Sequence, residues 1–154
     1  MTPRLKTDYP DPAGSPGLAL WRVTHSWQRR IRAALAPHGL THVQFVLLAS
    51  LAWMDHGTPV TQRRLAELAG TDAMMTSQVL RALEALGLVL RTPHPTDRRA
   101  MLVQPTAAGI EAANRANGAV EAADREFFGV LGEAELGALL RGMRRLEAGP
   151  GEPG

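Results

Sequence analysis

The sequence predicts a mainly α-helical fold with a small β-wing, a winged helix-turn-helix flanked by N- and C-terminal dimerisation helices. Three observations carry that prediction. Only three Trp, three Phe and one Tyr stand among 45% hydrophobic residues, so the core falls to Leu, Ala, Val and Met, an aliphatic bias that favours helices. Gly70 ends one amphipathic segment, and Thr71 and Asp72 at once open the next, which is the spacing of a helix-turn-helix. Residues 91–109, RTPHPTDRRAMLVQPTAAG, then set a proline-broken basic loop between two short apolar runs, as in a strand, loop and strand.

A chain of 154 residues suits one packed domain with an oligomerisation arm, not two full domains. The expected layout is a flexible N-terminal arm over residues 1–14, a single domain over 15–147 and a mobile tail over 148–154. Within the domain, 15–36 and 106–147 supply flanking helices, which by packing alone could serve dimerisation or equally close a monomeric core, and 41–104 the winged helix-turn-helix. Cys is absent, which removes disulfides, thiolate metal sites and thiol redox sensing and suits a cytoplasmic protein. The polar, turn-rich KTDYPDPAGSPG has no secretory apolar core, and the longest apolar block, residues 45–54, is too short to span a bilayer. No membrane partner is expected. A net charge of only +2 makes the placement of the arginines, not their sum, the informative quantity.

Each element follows from local cues. Three prolines and few apolar residues leave residues 1–14 unable to offset the entropy of ordering. Ser15 then Pro16 reads as an N-cap followed by proline at the first helical position. In that first helix Leu20, Val23, Trp27, Ile31 and Ala34 form one stripe, Trp21, His25, Gln28 and Arg32 a roughly opposite one, and Pro37 and Gly39 end it. A helix with two usable faces can pack on its own domain and on a partner subunit. Thr41 caps a second helix to about residue 54, apolar nearly all round and therefore buried. DHGTP is a turn, a short strand follows near Val60, and Thr61 caps a third helix whose apolar members are Leu65, Ala66, Leu68 and Ala69. Across residues 72–86 a helical wheel turns Thr76, Val79, Leu83 and Leu86 inward, sets Leu80 at the edge and turns Met74, Ser77, Gln78 and Arg81 outward. Residues 88–91 and 100–103 read as strands joined by TPHPTDRR. Thr106 caps an Ala-rich helix to about residue 131, with Ile110, Ala113, Val120, Phe127 and Leu131 buried. A last helix over 133–147 carries Leu136, Leu139, Leu140, Met143 and Leu146.

The outward strip of the fourth helix matches the chemistry of base edges: Arg81 for guanine, Gln78 for adenine and Met74 for a thymine methyl, with Ser77 between them. Thr71 at the helix entrance joins these candidate contacts. Any amphipathic helix also turns polar residues to water, so the strip alone leaves both readings open. The wing adds Arg98 and Arg99 at its tip, whose planar guanidinium groups suit a narrow minor groove. Asp97 either orients an arginine through a charge-assisted hydrogen bond or forms the turn after Pro95.

LTHVQFVLLASL, VTQRRLAELAG, TSQVLRALEALGLVLR and above all PTDRRAMLVQPTAAG resemble the MarR family of bacterial transcription regulators, closely over residues 40–106 and in general pattern beyond them. The resemblance places Asp97 and Arg99 at the D-x-R positions of the family's wing, implying that Arg99 is the minor-groove arginine and Arg98 the variable residue between. Pro105 stands where the family usually has Leu, which alters the strand-to-helix junction. The Met74 and Met75 pair makes the front of the reading helix more apolar than usual, which bears on the operator sequence and not on the fold. What the resemblance implies is a homodimeric, sequence-specific repressor of double-stranded DNA. Its operator would be palindromic, with half-sites about 10 bp apart or a multiple of that. It also implies a small-molecule effector, aromatic or anionic, bound between the dimerisation helices and the winged unit. Trp21, Arg22, His25 and Trp53 are the candidate pocket residues, with core or dimer packing as the competing role for the two tryptophans.

No G-x-S-x-G elbow, P-loop, G-x-G-x-x-G or H-E-x-x-H occurs, so no enzyme and no cofactor are expected. His38 and His42, with His25 and His56 as additions, lack the spacing and carboxylate partners of a metal site, and none is expected. The alternative reading is a winged helix used for protein interaction or dimerisation without DNA binding. Two adjacent wing arginines are superfluous to such a module, and they favour DNA.

Overall fold

The computed structural model describes residues 5–54 and 57–149, and its boundaries follow the capping residues. Asp11 caps a short 3-10 turn, Pro12–Gly14, by accepting the Ala13 N–H at 2.9 Å, so part of the expected arm is locally ordered. Ser15 caps α1 (Pro16–Leu35), which runs into a second 3-10 turn, Ala36–His38. Then follow α2 (His42–Met54), β1 (Val60–Thr61), α3 (Gln62–Ala69), α4 (Ala73–Ala85), β2 (Val89–Pro93), β3 (Met101–Pro105), α5 (Ala107–Phe128) and α6 (Glu133–Ala148). The two wing strands reach two residues further than the sequence suggested, because β3 is the middle of an antiparallel sheet ordered β1-β3-β2 and is paired on both edges. The turn expected at DHGTP falls partly outside the described residues, as does His56.

α2 is the central element, packed against α1, α3, α4, α5 and β3. Its Phe45, Leu47, Leu48 and Leu51 are buried, together with Ile31 and Leu35 of α1, Leu65 of α3 and Val103 of β3. Trp53 departs from the expectation of an all-buried helix: it is 85% exposed, while its neighbours Ala52 and Met54 in the same turn pack against the core. α5 meets α1 and α2 through Ala113, Ala116 and Val120, whose small side chains let helix axes approach closely. Ile110, Phe127 and Leu131, expected to be buried, are half-buried at that contact's margins.

Burial within the chain divides the remaining helices, and in α4 it corrects the expected inward face. In α1 only Ile31 and Leu35 are buried, while Leu20 and Val23 are exposed, since the N-terminal half of the helix extends beyond the core. In α4 Leu80 is fully buried and Leu86 is 57% exposed. The helix packs against α2, α3 and β2, and its buried stripe is Thr76, Leu80 and Leu83, while Leu86 lies past the last helical turn. No residue of α6 is buried within the single chain. Among the described residues, no single helix is long and apolar enough to cross a membrane.

Candidate nucleic-acid interface

The turn between α3 and α4 is built from its own side chains. Gly70 has φ 66°, a left-handed conformation that a Cβ disfavours, and this reverses the chain. The Asp72 carboxylate accepts the Met75 N–H at 2.8 Å and caps α4. Thr76, buried inside the helix, donates its hydroxyl proton to the Asp72 carbonyl at 2.8 Å, and its oxygen lies 2.7 Å from the Thr71 hydroxyl. With the Thr76 proton committed, Thr71 is the donor of that second bond. The Thr71 hydroxyl therefore staples the turn, a role the sequence reading did not foresee when it grouped this residue with the outward strip.

Beyond the turn, α4 turns Met74 (73% exposed), Gln78 and Arg81 to solvent, with Ser77 half-buried. Among the described residues, the side chains of Gln78, Arg81, Arg98 and Arg99 have no intramolecular hydrogen bond or ion pair. In the wing, the hairpin closes with His94 N–H to Ala100 C=O at 3.0 Å and Ala100 N–H to Asp97 C=O at 3.1 Å. The Asp97 carboxylate accepts the backbone N–H of Arg99 at 2.9 Å, and its own N–H donates to His94 Nδ1 at 3.1 Å. Of the two readings of Asp97, this geometry is the turn: no ion pair joins it to a guanidinium among the described residues, and it fixes Arg99 through the main chain.

Arg91 was not singled out from the sequence. Its side chain is 10% exposed, with Nε donating to Gln62 Oε1 at 2.7 Å and Nη1 lying 3.4 Å from Glu84 Oε2. One guanidinium thus ties the wing strand to the start of α3 and the end of α4. Nothing local signals this, because the partners are 29 and 7 residues away. At the other end of the wing, the Thr106 hydroxyl accepts the Gly109 N–H at 3.0 Å and donates to the Gly87 carbonyl at 2.7 Å. The threonine and glycine of the PTAAG motif are thereby the cap of α5 and the point where α5 touches the wing.

A crevice of about 530 Å³ lies between α2 and α5, bordered by α1. Trp27, Phe45, Val46, Trp53, Ile110 and Val120 form its apolar walls, and His42, Asn114, Asn117, Glu121 and Asp124 are polar groups on its lining. Trp27 donates its indole N–H to Asp124 Oδ1 at 2.8 Å and stands edge-on to His42, ring centres 5.1 Å apart. Burial, then the neighbouring Arg32, lowers the pKa of His42 from the ordinary histidine value, partly opposed by Asp124. Of the four pocket candidates, Trp53 borders this crevice. Trp21 and His25 instead pack on each other, ring centres 4.0 Å apart, with His25 Nδ1 2.9 Å from the Trp21 carbonyl, and Arg22 is exposed. Among the described residues, no group of three or more His, Asp and Glu is placed to hold a metal ion.

A capped two-helix turn followed by an antiparallel hairpin, on a helical frame, defines a winged helix-turn-helix protein. Residues 40–101 match the MarR family model. The chain is 47% identical over 118 residues to the HTH-type transcriptional regulator YdcH of Bacillus subtilis, covering 76% of this chain and 80% of that protein. It is 34% identical over 108 residues to the HTH-type transcriptional repressor Rv2887 of Mycobacterium tuberculosis, covering 70% and 76% respectively. The crystal structure of Rv2887 in complex with DNA superposes with a TM-score of 0.65 at 30% identity, over 86% of this chain and 98% of that one. That of CouR from Rhodococcus jostii RHA1 bound to p-coumaroyl-CoA gives 0.78 at 25% identity, over 95% and 100%. The chain belongs to the MarR family of transcriptional regulators.

Proposed function

We propose that the chain acts as a homodimeric repressor that binds a near-palindromic operator in double-stranded DNA and leaves it when a small aromatic ligand enters the crevice between α2 and α5. The observation that carries this reading is the set of exposed donors without intramolecular partners, Gln78 and Arg81 on α4 and Arg98 and Arg99 on the wing. α4 lies in the major groove, with Arg81 reading guanine, Gln78 adenine and Met74 a thymine methyl, and Ser77 adding a hydroxyl contact. Arg98 and Arg99 follow the adjacent minor groove. Thr71 serves the interface by holding the turn.

Dimerisation rests on exposed apolar side chains at both ends of the chain. Leu18, Leu20, Trp21 and Val23 of α1, and Leu139, Leu140, Met143 and Leu146 of α6, are exposed in the single chain, more apolar surface than scattered residues account for. Residues 15–36 and 106–147 are thus the dimerisation helices, and residues 41–104 the reading unit. Rv2887, a relative named as a repressor, has been crystallised with DNA, and CouR with an aromatic thioester; both support the two halves of the reading. A ligand releases DNA only as far as it binds the released arrangement more tightly than the DNA-bound one. The relatives are regulators and not enzymes, and a cytoplasmic location follows from the DNA partner.

The test is selection from a pool of random duplexes, followed by fluorescence anisotropy at two salt concentrations and sedimentation of the free protein. Enrichment of a near-palindrome, salt-dependent affinity and a dimer at micromolar concentration are the expected results. A folded dimer that enriches no sequence would instead favour the protein-interaction module.

A further inference from the structure

We propose that the crevice between α2 and α5 selects a cationic aromatic ligand, an amine or ammonium carried on a flat ring system, over an aromatic acid; this rests on the ligand half of the reading above. Size and walls fit the ring. A volume of about 530 Å³ lies within the range of small-molecule sites, roughly 300–1,000 Å³. Trp27, Phe45 and Trp53 present aromatic surface that stacks on rings and attracts cations.

The charge of the lining decides the rest. Glu121 and Asp124 both border the crevice from α5, and among the described lining residues none is Lys or Arg. Asp124 uses Oδ1 to accept from Trp27 at 2.8 Å, and its Oδ2 has no intramolecular partner among the described residues. Glu121 accepts from Asn117 at 2.8 Å through Oε1, while its Oε2 is 3.9 Å from an exposed Arg125 guanidinium, too long for a tight pair. On α1, Arg30 is engaged by Glu126 at 3.1 Å, and Arg32 is exposed and outside the lining, acting on the lining residue His42 through its charge. That imidazole, half-buried beside Trp27, is held towards its neutral form. A ligand carboxylate entering here would meet two anions and no committed cation. An ammonium would find one free carboxylate oxygen and aromatic faces, an arrangement that discriminates by repulsion as well as attraction.

The test uses a matched pair, 2-(aminomethyl)naphthalene and 2-naphthoate, titrated into the dimer at pH 7.5 and low salt and followed by tryptophan fluorescence. The amine should bind about tenfold more tightly. Glu121→Gln with Asp124→Asn, which keeps an oxygen acceptor for Trp27, should erase about that factor while leaving far-UV circular dichroism unchanged. Glu121→Gln alone, at an exposed side chain, should lose about half of the logarithm of the preference and covers the case in which the double variant misfolds. Equal or tighter binding of naphthoate, or an amine preference that survives both variants, would overturn the proposal. If neither probe quenches fluorescence, the crevice is not a ligand site. Operator binding, measured separately on the same protein, shows whether the DNA half of the reading stands.

Discussion

Replacing Gly109 with alanine would push a methyl group from α5 into the wing. A Cβ built at Gly109 falls inside van der Waals contact with the Leu88 carbonyl oxygen and 2.9 Å from the carbonyl carbon. Both are main-chain atoms next to a paired strand, so no side-chain rotation relieves the clash. Overpacking of this kind costs about 1–3 kcal/mol. The same carbonyl accepts the Thr106 N–H at 3.0 Å, and displacing it weakens a hydrogen bond worth about 1 kcal/mol. Against this, alanine gains about 0.5–1 kcal/mol over glycine in a helix. The net expectation is a loss of about 2 kcal/mol. Gly118 is the internal control: it lies in the same helix, a Cβ there meets nothing within 4 Å, and Gly118→Ala should stabilise by about 0.5–1 kcal/mol. Urea unfolding followed by circular dichroism at one fixed protein concentration reads both, as opposite shifts in midpoint at unchanged slope. A Gly109→Ala midpoint at or above wild type would show that α5 does not sit against the wing as described.

Arg91→Ala should cost about 1.5–3 kcal/mol in the same assay, the range for hydrogen bonds to a charged group, with the Glu84 share discounted because that carboxylate is partly exposed; a midpoint equal to wild type would mean the guanidinium is not a tie between wing and helices. On the selected operator, Arg99→Ala should weaken binding to every sequence variant and reduce the salt slope by about 1, and an unchanged slope would remove this wing arginine from the phosphate contacts. Gln78→Ala or Arg81→Ala should cost about 1–3 kcal/mol at particular base pairs only; uniform losses across all operator variants would refute direct readout. The lowered His42 pKa means that the folded state binds fewer protons there than the unfolded chain. Its contribution to stability is therefore fully present above pH 6.5 and is lost as pH falls below 6.5 towards the folded value. Urea midpoints measured from pH 7.5 down to 5.5 should fall, and His42→Gln should flatten the decline; an equally steep profile in the variant would assign it elsewhere.

The features legible in the sequence are those encoded by neighbours in the chain. Ser15, Thr41, Thr61, Asp72 and Thr106 each accept a backbone N–H three residues on, so capping residues placed five helix starts correctly. Two short apolar runs around a proline-broken loop placed the wing. Burial was legible only where one face has one neighbour. In α4 the buried stripe is Thr76, Leu80 and Leu83, and the apolar stripes of α1 and α6 were real, but the N-terminal end of the first and the whole of the second are not buried by the chain's own core. Periodicity reports that a face is apolar, and it is silent on what covers that face.

The same limit separates the two candidate sites. The proposed reading strip of α4 could be grouped from the sequence because Met74, Ser77, Gln78 and Arg81 sit on one helix within two turns. The crevice joins Trp27, His42, Trp53 and Asp124 from three helices, and its contact from Trp27 to Asp124 spans 97 residues. On a helical wheel Glu121 lies off the apolar stripe of α5, whereas Asp124 falls on it between Val120 and Phe127, a carboxylate among apolar positions that the sequence reading passed over. Only the packing of α5 against α1 and α2 turns them into the lining of a cavity and commits an indole N–H to one of them. The operator-reading surface can thus be compared among relatives position by position. Ligand preference depends on which charges three packed helices leave unpaired, so it must be read from each chain's own side chains.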